Sequence, residues 1–489
     1  MKYALGIDFG GGASKATLLS QDGRIAATNT VEYPTLYPKS GWTEQNPMDW
    51  YDATKKNIKA VLEKSGVSAE DISVLSLDAA THTAVVMDSD FNVLRPSIYW
   101  TDIRSLKEVE YLRENYNDII LKQVLHNVDT IWTLPQLLWI KNNEPQIWAK
   151  VGKIMFAKDF VRHKFTGDYV TDNIEAEGSM LFDYNRQCWS EELCGILSLD
   201  TRALPKIVSP SDVAGTVSAD AAADTGLCEG TPVLCGTTDT VMEVFAAGAV
   251  SEGQMTLKLA TAGRICVVTS KSYPDKNLIN YSHVIDGLWY PGTATKSCAA
   301  SYRWYRDTFG GDYAELDRGA ESIAPGADGL VFSPYLNGEL TPYADPKLCA
   351  SFIGVRSSHT KAHFTRAVLE GVSMSILDCK NELEKIGIPH EDSAAIIGGG
   401  GKSPLWRQIT SDILGIKLVE KKYADSSFGS AMFAGVAAGF WKTPKDALNV
   451  CNETVSETMP DAKNHALYKK VFERYKKVHD ALAPIYNED

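Results

Sequence analysis

YALGIDFGGGASKATLLS, residues 3–20, places two strand-like apolar runs on either side of Gly10, Gly11 and Gly12, so it reads as a glycine-turned antiparallel hairpin. Asp22 and Gly23 turn the chain again into a third strand, RIAATNTVEY. A fainter copy, MTLKLATAGRICVVTS, stands at residues 255–270 with Thr261, Ala262 and Gly263 at its turn. Two halves that each open on such a hairpin predict an α/β fold of two like domains. Their backbone turns would face each other across a cleft and hold a nucleotide's phosphates from both sides.

The length supports two domains, because 489 residues exceed what one hydrophobic core usually serves. Between the hairpins, ISVLSLDA (72–79) reads as a buried strand running into THTAVVMD, and residues 48–64 have helical apolar spacing. PQLLWIKNNEPQIW (135–148) and FAKDFVRHKFTG (156–167) read as helices on the surface of the first half. TPVLCGTTDTVMEVFAAGAV (231–250) gives a short strand, a Gly-Thr-Thr turn carrying Asp239, and a helix of small residues. The expected domains are 1–246 and 247–489.

A net charge of -13 argues against nucleic acid as a partner, so an anionic ligand must be met locally by backbone N–H groups or a metal. Nine cysteines without a C-x-x-C pair fit reduced thiols better than a disulfide framework or a zinc site. No apolar stretch approaches the roughly 18 residues of a membrane span, and the apolar run before Asp8 is too short for a signal-peptide core. A cytoplasmic protein without a membrane partner is expected.

Several residues carry candidate chemistry, each beside a plainer role. Asp8 ends an apolar strand before the glycine turn, where it either forms the turn or holds Mg²⁺ while the glycine N–H groups approach a phosphate. Asp239 either caps a helix or acts as general base, accepting the proton of a substrate hydroxyl as that oxygen attacks a γ-phosphate. Asp78 and His82 flank a strand end where a polyol would be hydrogen-bonded, although a lone histidine is commonly structural. Trp100, Asp102 and Arg104 fit an ion pair at a helix start or part of a sugar site. IIGGGGKSPLW (396–406) lacks the first glycine of a phosphate-cradling loop, since Ile396 stands where that glycine should be. YKKVFERYKKVHD reads as a solvated helix face.

Taken in order, these segments resemble the FGGY family of carbohydrate kinases over essentially the whole chain. ASFIGVRSSHTKAHFTRAVLEG (350–371) matches the family's second signature, and LRPSIYWTDIR, AKDFVRHKFTGDYVTD, SPYLNGELTP and GGGGKSPLWRQITSDILG look like segments of its xylulokinases. The resemblance implies an actin-like ATPase of two ribonuclease-H-like domains, with ATP and sugar in an interdomain cleft. It places the catalytic base on Asp239, with Mg²⁺ near Asp8 and Asp239. The first phosphate hairpin falls on Gly10, Gly11, Gly12, Ser14 and Lys15, and the second on Thr261 and Gly263. Adenosine falls against Gly399, Gly400 and Gly401, and the sugar contacts fall on Thr81, His82, Thr83 and Thr240, with Asp78 a further candidate contact from its place at the strand end.

There are departures. Gly11, Gly12 and Ala13 stand where the family has hydroxyl residues, Gln136 replaces a usual lysine and Leu340 a usual arginine. At the sugar site Thr240 replaces asparagine, Thr81 replaces methionine, and Asp78 adds an acid. The implied reaction is ATP-dependent phosphorylation of D-xylulose to D-xylulose 5-phosphate. Ribulose, a deoxyketose, gluconate, erythritol or glycerol remain alternative acceptors, because a hydrogen-bonded site discriminates strongly when a polar partner changes. A non-catalytic nucleotide- or sugar-binding regulator on the same fold is the alternative of another class. A homodimer is among the partners the resemblance allows.

Overall fold

A computed structural model describes residues 1–488. The chain forms two compact units. The first comprises Met1–Val250, Tyr281–Gly287 and Tyr423–Glu453; the second begins at Ser251 and comprises the remainder.

In the first unit the predicted hairpin forms from strands Tyr3–Phe9 and Ala13–Ser20, paired antiparallel with Phe9 opposite Ser14 and Asp8 opposite Lys15. Strand Ile25–Glu32 lies at one edge and alternates half-buried with exposed residues, the period-two pattern of a sheet wetted on one face. On its other side the first strand pairs in parallel with Ile72–Ala79. A parallel neighbour needs a crossover rather than a tight turn, and helix Pro47–Ser65 lies within that connection. Its start is fixed by Asn46, whose side chain accepts from the Met48 N–H, and by Pro47; its end is fixed by left-handed Gly66. Trp50, Ile58 and Val61 carry its buried face into the core of Leu5, Ile7, Leu75 and Leu77.

Pro232–Leu234 and the short strand Thr237–Thr238 also pair in parallel with Ile72–Ala79, Thr237 opposite Asp78 and Thr238 opposite Ala79. Gly236 makes the bend between them. Its φ is +70°, and an added Cβ would lie 2.0 Å from the Leu77 carbonyl oxygen, so only glycine fits.

The second unit repeats the plan. Hairpin Met255–Leu259 and Gly263–Val267 is antiparallel, Gly292–Thr295 flanks it, and Ser393–Ile397 pairs in parallel with its first strand. Lys417–Lys421 continues the parallel set and Thr454–Thr458 closes the edge. Helix Lys361–Ile386 buries Val368, Leu369, Val372 and Ile376 in this unit's core beside Leu257, Ile265 and Trp406.

Two expected surface helices are in fact largely buried. Thr133–Asn143 buries every residue from Thr133 to Ile140, and Pro145 starts a separate turn, Pro145–Trp148. Ala157–Thr166 buries Lys158, Asp159 and Arg162. Charge normally keeps such residues in water, but here each finds a partner. Lys158 Nζ lies 2.5 Å from Asp159 and 2.8 Å from Asp172, while Arg162 lies 2.8 Å from Asp159 and 3.0 Å from Asp168. Among the described residues no helix is long and apolar enough to cross a membrane.

Candidate active site

The strand registers gather three carboxyl-bearing residues of the first unit. Asp8 stands opposite Asp78 across the parallel pair, and Asp239 follows Thr238, the partner of Ala79. Asp239 is the first residue of helix Asp239–Ala246; Thr238, not Asp239, occupies the capping position. Asp239 keeps part of its surface open and accepts a 3.2 Å hydrogen bond from Thr240 Oγ1. Loss of surrounding water and the charge of Asp239 push the Asp8 carboxyl up to about 7. Asp78 is fully buried, and burial, with Asp8 beside it, raises its carboxyl well above the ordinary range. Ser430 donates to one Asp78 oxygen at 2.5 Å.

Helix Ser426–Ala437 supplies that serine, and it lies flush on the first strand because residue 6 is glycine. A Cβ there would stand 2.1 Å from the Ser427 carbonyl oxygen. The same helix start orders the hairpin: Ser427 Oγ meets Thr17 Oγ1 at 2.8 Å, and Asp425 pairs with Lys15 at 3.0 Å.

At the hairpin tip the carbonyls are turned inward. Gly10 O accepts from the Tyr33 hydroxyl at 2.5 Å, Gly11 O from Thr35 Oγ1 and Gln45 Nε2 at 2.9 Å, and Gly12 O from the Tyr33 N–H at 3.0 Å. In a trans peptide the N–H points opposite the preceding C=O, so the amides of Gly11, Gly12 and Ala13 face the other way. Successive outward amides make an anion-binding concavity without side-chain hydroxyls. Ser14 is buried behind this turn.

The second unit's hairpin uses the same device. Ala260 O accepts from the Ala299 N–H at 2.7 Å and Thr261 O from Cys298 N–H at 3.0 Å, which turns the Thr261 and Ala262 amides outward. Thr261 is exposed; Gly263 is buried, where a Cβ would stand 2.6 Å from Ile376 and Thr295.

The glycine run forms a tight strand-to-helix turn. Gly398 adopts φ +91° with its Cβ position 2.6 Å from Leu259 O, and a short 3₁₀ turn spans Gly399–Lys402. Helix Pro404–Leu414 follows, capped by Ser403, whose Oγ accepts from the Trp406 N–H at 3.1 Å. Gly399 is exposed, whereas Gly400 and Gly401 lie buried against Trp406 and Ile396.

At the far end of strand Ile72–Ala79, Thr81 is half-buried and His82 is enclosed. His82 is left-handed, with φ +66°, and its N–H donates to Glu175 Oε1 at 2.6 Å. Its ring nitrogen Nε2 meets the Tyr281 hydroxyl, and its ring stacks on Tyr281 at 5.6 Å. Glu177 accepts from the N–H and hydroxyl of Ser282 at 2.8 and 2.7 Å, yet burial pushes its carboxyl up to about 8. Neither Tyr281 nor the two glutamates stood out in the sequence, because no periodicity or motif marks them.

The Asp102–Arg104 alternatives resolve structurally. Arg104 is buried, pairs with Asp102 and Glu44 at 2.7 Å each, and stacks on Trp42 at 3.8 Å, while Trp100 remains exposed. All nine cysteines are free thiols.

The sequence profile described as the FGGY family of carbohydrate kinases, N-terminal domain, matches residues 3–246, and that of the C-terminal domain matches residues 255–438. The chain is 31% identical to a protein named xylulose kinase from Bacillus subtilis, over 98% of this chain and 97% of that one. It is 27% identical to a gluconokinase of the same organism, over 89% and 88% of the two chains. A solved structure of xylulose kinase from Rhodospirillum rubrum superposes with a TM-score of 0.92 at 26% identity, covering 100% of both chains.

Proposed function

The chain belongs to the FGGY family of carbohydrate kinases, and within that family we propose that it phosphorylates D-xylulose to D-xylulose 5-phosphate with ATP. The observation that carries the acceptor is the full-length likeness to a xylulose kinase.

Asp239 is the general base. Partly open at a helix start, it takes the proton of the attacking hydroxyl as the oxygen forms its bond to the γ-phosphorus and the bond to ADP breaks. The outward amides at Gly11 and Gly12, and at Thr261 and Ala262, hold phosphate oxygens, with Lys15 adding charge despite its pairing with Asp425. Gly399 meets the adenosine, with Gly400 and Gly401 shaping the turn below it. His82, Thr81 and Thr240 bind the sugar.

Asp8, with Asp239, would hold Mg²⁺, which when bound neutralises phosphate charge. The fit rests on buried, crowded carboxyls: burial first and the charge of Asp239 second push the Asp8 carboxyl up, and a divalent cation would offset both. Among the described residues no three side chains form a self-sufficient metal cage, in keeping with an ion that takes its remaining ligands from phosphates and water.

In this reading residues 1–246 carry the sugar site, first phosphate hairpin and base, and 247–489 carry the second hairpin and adenosine glycines. The enzyme works in the cytoplasm, where its nine thiols stay reduced. Gluconate as acceptor is the second reading, favoured by the likeness to a gluconokinase. ADP release measured against a panel of D-xylulose, ribulose, gluconate, erythritol and glycerol decides between them. Preference for D-xylulose is expected; preference for another member overturns the acceptor, and ADP release with none overturns the kinase assignment.

A further inference from the structure

His126 is nearly fully buried, and neither of its ring nitrogens has a hydrogen-bond partner. Burial drives its pKa down to about 3, so the ring is neutral at working pH and presents one N–H donor and one nitrogen acceptor. A buried polar ring left unpaired is rare and calls for an explanation.

Its surroundings supply one. The His126 ring stacks on Trp132 at 4.2 Å, Trp132 lies 5.1 Å from His82, and Tyr281 lies 6.1 Å from His126 and 6.2 Å from Trp132. Four rings thus form one box around the histidine already placed at the sugar. The backbone around this box is strained: His82, Leu125 and Met180 are non-glycine residues at φ +66°, +68° and +58°. Leu125 ends helix Leu106–Val124 in the left-handed conformation and directly precedes His126. Gly178 lies under the His82 ring, where a Cβ would stand 1.6 Å from Cε1. Strain of this kind persists where the surrounding structure holds a site in place.

We propose that His126 is a substrate-binding residue, whose neutral ring exchanges a hydrogen bond with a hydroxyl of the acceptor sugar and thereby sets acceptor specificity. A hydroxyl is itself donor and acceptor, so it matches a neutral imidazole from either nitrogen. The aromatic walls suit the apolar face of a sugar ring or chain. Entry requires Tyr281 to part from His82. Tyr281 sits on the strap 281–287, fastened by Ser282 to Glu177 and by His283 to the Ala249 carbonyl, through hydrogen bonds that water can replace.

The inference rests on the kinase reading, and the two fail differently. The test compares the full-length wild type with His126→Phe, which keeps the ring but removes both nitrogens, and with His126→Asn, which keeps a donor and an acceptor. For the sugar that the wild type turns over best, His126→Phe is expected to raise KM by about 10- to 100-fold while the KM for ATP stays unchanged. His126→Asn is expected to recover most of that loss and to change the ranking of acceptors. A His126→Phe protein with a higher Tm and unaltered sugar KM would show an orphaned or water-bound ring and overturn the role of His126. Equal increases in both KM values would overturn it as well. A wild type that releases no ADP with any sugar sinks the kinase reading instead. In that case, or if His126→Phe does not fold, the Tm shift on adding sugar without ATP decides with His126→Leu, which has no polar side-chain atom: a shift kept at the wild-type sugar concentration dependence overturns the proposal, and a weakened one supports it.

Discussion

Asp8 and Asp78 stand directly opposite each other on neighbouring parallel strands, close enough for the proton of one carboxyl to serve both. Both carboxyls are raised, Asp8 to about 7, so the folded protein binds more protons than the unfolded chain above the ordinary carboxylate pKa. Stability contributed by the pair is therefore present at low pH and declines as pH rises toward 7. Asp78→Asn removes one of the two acids while keeping a donor toward Asp8. Without ligand, its Tm should gain on the wild type as pH rises from 5 to 8. Parallel Tm curves for the two proteins would refute this.

Asp239→Asn tests the base. The amide keeps the shape but cannot take a proton, so kcat should fall by about 10²- to 10⁴-fold. ATP affinity, measured by calorimetry without Mg²⁺, should stay near that of the wild type, because the proposed phosphate amides lie on other turns. An Asp239→Asn enzyme with near-normal kcat would remove the base from the mechanism.

Lys158 supports that base from behind. It joins Asp159 and Asp172, and Asp172 accepts from Thr237 Oγ1 at 2.8 Å, two residues before Asp239. Lys158→Met leaves buried Asp172 without its cation, while Asp159 keeps Arg162, and an uncompensated buried charge of that kind costs about 3–5 kcal/mol. Chemical denaturation should register that loss, and refolding yield should drop with it. A stability within 1 kcal/mol of the wild type, itself about the scale of an exposed pair, would mean the network is dispensable.

The parts of this molecule that could be read from sequence are those where local chemistry decides. Glycines at 10–12 and the apolar runs beside them specify a hairpin whatever packs on it, and Asp239 announces itself by following a buried strand and a Gly-Thr-Thr turn. The helices around Trp139 and Lys158 were misleading because charge suggests water, and only tertiary pairing reveals that Arg162 and Asp159 neutralise each other indoors. The ring box around His82 was hidden for a different reason. Trp132, His126 and Tyr281 come from loops without periodicity, and Tyr281 belongs to the first unit through a separate segment, Tyr281–Gly287, that comes after the second unit's first hairpin in the chain. Asp78 was read as a sugar contact, and the fold instead sets it against Asp8 and Ser430.

Gly399 and Gly400 separate a contact role from a packing role within one turn. A Cβ on Gly399 meets nothing within 4 Å, and this residue is exposed. A Cβ on Gly400 would come within 2.7 Å of the Trp406 ring and 3.0 Å of Leu259, both buried core side chains that cannot yield without moving the helix Pro404–Leu414. Gly400→Ala should therefore lower stability by about 1–3 kcal/mol, the usual cost of overpacking. Gly399→Ala should leave Tm unchanged, yet raise the KM for ATP several-fold, because the added methyl occupies the surface proposed to meet adenosine. Sugar KM should not move in the Gly399→Ala enzyme, since the turn belongs to the nucleotide end of the reaction. If ATP KM is unaffected by Gly399→Ala, the four glycines serve only to let Trp406 pack beneath them, and adenosine is bound elsewhere.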